Sequence, residues 1–367
     1  MSVNAYLYSS IFPFERRAWL RTATGIGYAF ELMTYGRFQF DLCTADALTS
    51  AQLAPGSLVG FKSTAGVPDF LGWIDRVEES HGGSYVTVSG REWAAILSER
   101  STLQERTYYS GAAATIGGDI VRQASGRNPT GIDVIPTGLS GPLSSPFTVR
   151  AAPVLDVLTD LADITGTEWQ MQYTVGPTAR AQLYWNDRAG RDEQESIHLA
   201  GPMIADADYD FDLVSDRAIV GVIGSSGVFG DRPSAAAVDA GPLALQDTAL
   251  VRVAAVADPS RRQVQRRGIA TSREAVILDS ALPDRLAVQR RAVETLRALV
   301  SGAETLSVTV TQAADWTRLR TGNIVTVRLP GVRFGDHLVR AFRIFGIQPR
   351  EERGVMELVG KVLPDAA

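Results

Sequence analysis

The sequence predicts an α+β fold that is mainly β, with two small β-barrels flanking a mixed α/β middle domain. Three observations favour this fold class. The 367 residues include 34 Gly and 17 Pro, which indicates many turns between short elements. Several segments alternate apolar and polar residues as half-buried strands do, while others carry an apolar stripe at helical spacing. A turn-and-strand pattern near the start of the chain also recurs near its end.

The same observations predict three parts, which suits a chain of this length at roughly 150 residues per domain. Residues 1–105 are expected to form an N-terminal segment and the first barrel with a closing helix. Residues 106–200 form the mixed middle domain. Residues 201–367 form the second barrel, with a long loop at 225–268 and a helix at 283–300.

The first barrel is predicted from five short strands, at residues 28–33, 37–43, 58–61, 70–77 and 85–88. Phe38, Phe40 and Leu42 alternate with polar residues, which is the period of a strand with one buried face. Residues 91–100 then change to helical spacing, with Trp93, Ile96 and Leu97 on one face. This helix would close the barrel.

The middle domain is predicted to contain helices at residues 112–124 and 153–164. Pro153 suits the first turn of the second helix and Gly166 suits its C-terminal cap. Strands at residues 168–173 and 181–185 follow, around a Gly176-Pro177 turn. The domain therefore combines helices with a hairpin.

The last part begins with strands at residues 206–214 and 219–223, and a partial strand at 249–256 lies in its long loop. The helix at 283–300 is the longest predicted in the chain. Four closing strands are expected at residues 305–311, 323–329, 338–345 and 355–362.

Two segments repeat one pattern, Leu-x-x-Gly-x-apolar-Val, at residues 53–59 and 319–325. In each, the glycine forms a turn that feeds a strand, and two further strands follow. Two interpretations stay open. The segments belong either to unrelated β-meanders with ordinary turns or to two related small barrels.

Composition argues against several classes of function. A net charge of −5 disfavours a dedicated DNA-binding surface. The single cysteine, Cys43, excludes an intrachain disulfide and a zinc site built from cysteines. The three histidines (His81, His198 and His337) lack the spacing of a helical metal site. We predict no catalytic residue, no cofactor, no metal site, no signal peptide and no membrane span.

Two charged segments leave alternatives open. Residues 206–212 place an aspartate at every second position, but Phe211 and Arg217 stand where an EF-hand needs Gly and Glu. A strand with carboxylates on a wet face is favoured over irregular calcium binding. The basic run at residues 260–267 is interpreted as a solvated loop or an arginine–carboxylate interface rather than a nucleic-acid contact.

The most distinctive motif is Val-Thr-Val-Ser-Gly-Arg-Glu at residues 86–92, followed by Ile96, Leu97 and Arg100. It resembles the strand-to-helix segment of tail-hub proteins from phages with long non-contractile tails. The resemblance continues in order through residues 70–74, 154–169, 260–268, the helix from 283, and residues 322–325. Two departures are Asn323, where an acidic residue is usual, and the arginine-rich 260–267, where an aromatic before the glycine is commoner.

That family is similar to the baseplate hub of contractile-tailed phages, which carries two tail-tube-like barrels per chain and forms a trimer. The resemblance implies a structural, non-enzymatic hub. As a homotrimeric ring, it would adapt a sixfold tail tube to a threefold tip, because three chains present six quasi-equivalent barrels. Its expected neighbours are a distal tail or tail-tube protein, the tape-measure protein, and tip or fibre proteins. DNA would pass through without specific binding. The expected location is the virion tail tip, after assembly in the host bacterial cytoplasm.

Four N-terminal aromatic residues, Tyr6, Tyr8, Phe12 and Phe14, are predicted to contact a neighbouring subunit or tail protein. The alternative is that they pack on their own barrel. Two other functions stay open for the whole chain. One is a cell-wall or glycan hydrolase or binding module, and the other is the hub of a phage-derived injection machine or gene transfer particle.

Overall fold

The computed structural model describes residues 3–43, 53–79, 84–127, 129–136, 142–143, 146–211, 219–224, 235–239, 250–254, 274–279, 304–333 and 336–363. The chain forms two compact units. One contains residues 1–207, 307–325 and 344–359, and the other contains residues 208–306, 326–343 and 360–367. No described helix is both long and apolar enough to cross a membrane.

Ten strands and a short 3-10 helix (Trp93–Leu97) precede the first α-helix. The strands are β1 (Val3–Tyr8), β2 (Phe14–Trp19), β3 (Thr24–Tyr28), β4 (Phe30–Glu31), β5 (Arg37–Cys43), β6 (Leu58–Ser63), β7 (Phe70–Glu79), β8 (Tyr85–Glu92), β9 (Ser101–Thr102) and β10 (Arg106–Tyr108).

The middle of the chain alternates helices and strands. Its elements are α1 (Ala113–Arg127), β11 (Ile132–Pro136), β12 (Phe147–Val149), β13 (Ala152–Pro153), α2 (Val154–Thr165), β14 (Glu168–Thr174), β15 (Thr178–Asn186) and β16 (His198–Ala200). Helix α2 begins after Pro153 and ends at Gly166, whose φ of 64° gives the left-handed cap that the sequence predicts.

The remaining described elements are strands and three short 3-10 helices (Gly201–Met203, Trp316–Arg318 and Glu351–Arg353). The strands are β17 (Ile204–Phe211), β18 (Ile219–Gly224), β19 (Ala235–Asp239), β20 (Leu250–Ala254), β21 (Glu274–Asp279), β22 (Glu304–Thr311), β23 (Ile324–Arg333), β24 (Asp336–Arg350) and β25 (Val355–Val362). The predicted helix at 283–300 and the basic run at 260–267 lie outside the described residues.

The largest sheet has ten strands in the order β11-β15-β2-β1-β6-β7-β8-β5-β3, with β14 paired to β15. Strand β5 alternates exposed and buried residues as predicted, and its Phe38 and Phe40 join a cluster of buried rings. Within the cluster, Phe61 and Phe70 stack with ring centroids 5.6 Å apart. Such aromatic pairs add about 0.5–1.5 kcal/mol beyond the area that they bury. This aromatic core holds the first part of the chain together.

Strand β2 links the predicted first barrel to the predicted middle domain. It pairs with β1 on one side and with β15 on the other, through Glu15–Thr178 and Phe14–Ala179. Strands from both parts of the sequence therefore share one sheet. The sequence did not predict β1 and β2. In β2, the polar run Glu15-Arg16-Arg17 interrupts the apolar–polar alternation by which a strand is recognised.

Three further sheets complete the described chain, besides the pair β10–β12. Strands β16-β23-β24-β25-β22-β17 form one, with β4 also paired to β24, and β20-β19-β18-β21 form another. Strands β9 and β13 form a second two-stranded sheet. The prediction of a mainly β, α+β chain is confirmed, and the structure contains a curled half-barrel sheet. The two-barrel arrangement and the boundaries at residues 105 and 200 stay predictions.

The repeated pattern forms the same hydrogen-bonded turn at both places. The Gly56 N–H donates to the Ile74 carbonyl at 2.7 Å, and the Ile74 N–H donates to the Ser57 carbonyl at 2.9 Å. Near the end of the chain, Gly322 donates to Ile344 at 2.7 Å, and Ile344 donates to Asn323 at 2.9 Å. Both glycines have positive φ, 90° and 86°. The sequence repeat therefore marks a structural repeat at the level of the turn.

A second correspondence lies on the third strand after each turn, which is β8 in the first repeat and β25 in the second. A Cβ at Gly90 would overlap the Trp73 carbonyl oxygen, and a Cβ at Gly360 would overlap the Arg343 carbonyl oxygen. These two carbonyls occupy equivalent positions. Trp73 precedes Ile74, and Arg343 precedes Ile344, the two isoleucines whose backbones form hydrogen bonds with the turns. Both repeats therefore need a residue without a side chain at the same place.

The predicted 3.6-residue helix at 91–100 is wrong, because only the 3-10 helix Trp93–Leu97 forms. All five of its residues are buried. A short apolar segment that is enclosed on every side gives no amphipathic stripe from which its period could be read.

The two turn glycines provide a matched pair of substitutions. Alanine at Gly56 meets no atom within 4 Å, whereas alanine at Gly322 would overlap the Ala189 carbonyl. We expect Gly56→Ala to lower the free energy of unfolding by about 1–3 kcal/mol, the cost of a non-glycine residue in a strained backbone region. Gly322→Ala should cost substantially more. Urea unfolding of both variants measures the difference, and equal losses would contradict the assigned packing.

Candidate functional site

The Ser-Gly-Arg-Glu motif lies at the end of β8. Its last three residues differ in their surroundings: Gly90 packs against β7, Arg91 faces the surface and Glu92 is buried. Gly90 is paired with Ile74 of β7, and a Cβ there would also lie 2.8 Å from the Phe38 ring. The close approach of the two strands therefore depends on this glycine.

Arg91 faces outward and joins two carboxylates. Its Nε and Nη2 donate to the two oxygens of Asp75 at 2.8 and 3.0 Å, and its Nη1 donates to Glu99 at 3.0 Å. The guanidinium also lies 5.5 Å from the centroid of the Trp73 ring. A two-pronged arginine–carboxylate contact has a fixed geometry, so it fixes the end of β8 relative to β7.

Glu92 faces inward and is only 2% exposed. Its Oε2 accepts the Gly36 N–H at 2.7 Å, and its Oε1 accepts the Tyr173 hydroxyl at 2.9 Å. The Tyr173 oxygen in turn accepts the Ala94 N–H at 3.3 Å. Because Tyr173 belongs to β14, this carboxyl joins the first β segment to the middle of the chain. Burial raises the pKa of Glu92 to about 8, although both donors oppose that rise.

A carboxyl with a raised pKa in a cleft is a common sign of a catalytic acid. Glu92 differs in one respect, since its environment is closed. Both oxygens are occupied by groups of the same chain, and the residue is almost inaccessible. The arrangement suits a structural junction rather than proton transfer to a substrate.

The Glu92 carboxyl should make folding stability depend on pH. Below its ordinary pKa of 4.5 the group is protonated in both states. Between 4.5 and about 8 the unfolded chain releases the proton while the folded chain keeps it, so stability falls as pH rises through this window. Glu92→Gln should flatten the fall by up to about 1.4 kcal/mol per pH unit.

The measurement is urea unfolding of the wild type and Glu92→Gln at several pH values from 5 to 8. Glu99→Gln is the matched control, because it makes the same charge change at a side chain that is 45% exposed. It should keep the wild-type slope. Identical slopes for all three proteins would show that Glu92 does not retain its proton on folding.

The structure separates the four predicted N-terminal interface residues. Tyr8 and Phe14 are 1% and 2% exposed, because the Tyr8 hydroxyl donates to the Gly176 carbonyl and the Phe14 ring packs edge-on against Trp93. Tyr6 is half-buried and Phe12 is 54% exposed. Within a single chain, only Tyr6 and Phe12 of the four are accessible to another protein. Their contact with a partner stays a prediction.

Phe12 belongs to an exposed tip, Ser10–Pro13, that connects β1 to β2. Ile11 is 73% exposed beside it. Ser9 fixes the base of the tip, since its Oγ accepts the Glu15 N–H at 3.0 Å and donates to the Ile11 carbonyl at 2.9 Å. The Phe12 ring leans edge-on against Phe14, 5.6 Å away. The tip therefore presents two apolar side chains in a preorganised shape, which reduces the ordering cost of binding.

The second repeated turn anchors the segment that follows β15. The Asn323 side chain accepts the Arg191 N–H at 2.9 Å and donates to the Arg318 carbonyl at 2.9 Å. Gly322 and Gly190 approach so closely that neither has space for a side chain. Asn323 is only 4% exposed and uses both ends of its amide. An ionised carboxylate could not donate the second bond, so the surroundings of this position in this chain require an amide.

Asn323→Asp should therefore destabilise the protein by about 1–3 kcal/mol, the cost of leaving a buried group without its partner. The loss should be larger at pH 8 than at pH 5, because the ionised aspartate is the more costly form to bury. Thermal unfolding at the two pH values measures this. Gln104→Glu is the control, because it makes the same change from amide to carboxyl at an exposed side chain.

The chain resembles known proteins in its structure and not in its sequence. No protein-family model and no curated sequence matches the chain. Solved structures match over its whole length. The 43 kDa tail protein of prophage MuSo2 from Shewanella oneidensis gives a TM-score of 0.65 at 15% identity, covering 100% of this chain and 99% of that one. A tail protein from Neisseria meningitidis MC58 gives 0.60 at 14% identity, with 98% and 97% covered. The fold is that of phage tail proteins.

A third solved structure that matches is a component of a secretion system. The c3393 protein of E. coli, described as a component of the type VI secretion system with structural similarity to the T4 tail proteins gp27 and gp5, gives a TM-score of 0.50. Identity is 11%, and the match covers 100% of this chain and 75% of that one. The tail-protein fold that the motif implied is confirmed, and the Ser-Gly-Arg-Glu motif stands at a structural junction of that fold.

Of the remaining sequence candidates, those within the described residues do not come together at one site. Within the described part of the chain, no group of three or more His, Cys, Asp and Glu residues is arranged to hold a metal ion. Asp206 and Asp208 are exposed on β17, while the side chains of Asp210 and Asp212 lie outside the described residues. His198 is exposed, and its ring lies 3.2 Å from the Glu195 carbonyl.

Two features of the site were missed by sequence reasoning. The hydrogen bond between Tyr173 and Glu92 joins residues far apart in the chain, and no local pattern signals it. The exposed arginines and tryptophan of β2 were also missed, although the close spacing of Arg16, Arg17, Trp19 and Arg21 was a readable signal.

Proposed function

We propose that this protein is the structural hub of a phage tail or of a phage-derived injection machine. The observation that carries the proposal is the match of the entire chain to tail proteins, with coverage of 98–100% for the first two. The likeness to a secretion-system component that is itself similar to T4 tail proteins supports a hub in particular. We propose a structural role and no enzymatic activity.

In this proposal three copies form a closed ring between the tail tube and the tip. The repeated turn at Gly56 and Gly322, with equivalent hydrogen bonds, supports two related barrels in each chain. Three such chains would present six barrels to a sixfold tube and keep threefold symmetry toward the tip. DNA would pass through the ring without specific binding, since a net charge of −5 favours a repulsive wall.

The exposed tip at Ile11 and Phe12 is proposed to contact a neighbouring tail component. Candidates are the distal tail or tail-tube protein, the tape-measure protein and tip or fibre proteins. Two apolar side chains on a hydrogen-bonded loop suit insertion into an apolar pocket, where aromatic anchors contribute strongly to binding. The proposed location is the tail tip of the virion, after assembly in the bacterial cytoplasm.

An image of the assembled particle tests the copy number. We expect three copies at the end of the tail tube, because three chains with two barrels each would match a sixfold tube to a threefold tip. We also expect another chain to cover the tip at Ile11 and Phe12, because both apolar side chains are exposed in the single chain. Six copies, one copy, or a position along the tail shaft would contradict the hub.

A parallel assay separates the structural role from hydrolysis of the cell wall. The purified chain should release no soluble fragments from peptidoglycan. Turnover that a single Asp or Glu substitution abolishes would replace the structural role with an enzymatic one.

A further inference from the structure

Strand β2 carries an exposed cationic and aromatic surface that the proposed function does not yet use. We call Arg16, Arg17, Trp19 and Arg21 the arginine–tryptophan patch. Trp19 is 51% exposed, and the three arginines are exposed as well. Tyr8 pairs with Arg16 and Leu7 pairs with Ala18, so Arg17 is the extra residue of a β-bulge. In a bulge two residues stand opposite one residue of the partner strand, so two exposed arginines are adjacent here.

Two of the three guanidinium groups lie over aromatic rings. The Arg21 Cζ lies 4.9 Å from the Trp19 ring centroid, and the Arg16 Cζ lies 5.1 Å from the Tyr6 ring centroid. Tyr6 and Trp19 are direct cross-strand neighbours. Across the described residues, no carboxylate forms a salt bridge with any of the three arginines. The patch is therefore positively charged, and among the described residues its arginines have no salt-bridge partner.

Trp, Tyr and Arg are the residue types that dominate the binding energy of protein interfaces. An arginine stacked on an aromatic ring is already ordered, so little side-chain freedom is lost when a partner arrives. The chemistry of the patch thus indicates a partner with acidic side chains.

The chain itself carries a matching acidic surface on β17. Asp206 and Asp208 are exposed, and as residues i and i+2 they share one face of the strand at a spacing of roughly 6.6 Å. Neither carboxylate forms a salt bridge with a described basic residue. Among the described strands, β17 is also the last strand of its sheet, and an edge strand is a place where another chain can pair.

We propose that the arginine–tryptophan patch of one copy binds the Asp206–Asp208 face of the next copy. The two surfaces differ, so the contact is heterologous, and a heterologous contact that closes on itself produces a ring. This inference rests on the proposed ring-forming function and identifies the surfaces that close the ring.

Charge complementarity within one chain favours a second copy over nucleic acid as the occupant. The net charge of −5 repels a DNA backbone, and exposed Glu15 precedes the patch on the same strand. A second copy, by contrast, offers the acidic face at the same concentration as the basic one.

The test is charge reversal in the full-length chain, read by size-exclusion chromatography with light scattering at a concentration where the wild type is a trimer. Arg16→Glu/Arg17→Glu and Asp206→Arg/Asp208→Arg should each reduce the mass from three chains to one, with affinity weakened at least tenfold. Combining all four substitutions should restore the trimer, because the charges again complement each other. Arg150→Glu/Arg188→Glu makes the same charge change at two other exposed arginines and should stay trimeric.

The outcomes separate the inference from the proposed function. A wild-type trimer whose mass is unchanged by Arg16→Glu/Arg17→Glu, with unfolding temperature preserved, overturns the interface and leaves the ring standing. A wild type that is a single chain both in solution and within the particle overturns the ring, and the interface with it. If duplex DNA retains the wild type but not Arg16→Glu/Arg17→Glu, and both have the same mass, the patch binds nucleic acid and the inference is wrong.

Discussion

The buried carboxyl of Glu92 is the contact on which the rest of the described architecture depends. Removing a carboxyl from water is costly unless each oxygen receives a hydrogen bond. Here one oxygen takes the Gly36 N–H and the other takes the Tyr173 hydroxyl. The turn before β5, the end of β8 and strand β14 must therefore meet at one point. A misplaced strand would leave a carboxyl, a hydroxyl or an amide unpaired, so the contact specifies the arrangement as well as stabilising it.

Adjacent residues of the same motif make contacts on opposite faces of β8, one at the surface and the other in the core. Arg91 lies outside and binds Asp75 and Glu99, while Gly90 allows the Trp73 carbonyl to approach. The alternation of a strand explains the division, because successive side chains point to opposite faces. The same close approach occurs at Gly360 and the Arg343 carbonyl. The glycine of the motif thus recurs where two strands approach closely, while the residues around it differ.

The two repeated turns have the same hydrogen bonds but different neighbours. Gly56 faces open space, whereas Gly322 packs against the backbone of residues 189–190, and Asn323 bonds Arg191 and Arg318. The first turn only feeds a strand, while the second also holds the segment after β15.

The sequence by itself determined the mainly β class, the alternation of β5, the C-terminal cap of α2, and the turn repeat, because each follows from spacing within a few residues. The Ser-Gly-Arg-Glu motif also indicated the tail-protein fold. Only the tertiary structure decided that Tyr8 and Phe14 are buried while Phe12 is exposed, since neighbouring elements cover the first two. It also decided that Tyr173 meets Glu92 and that β2 joins β15. These contacts join residues that are distant in the chain. Local periodicity predicts which face of an element is buried, but it does not predict which distant residue that face contacts.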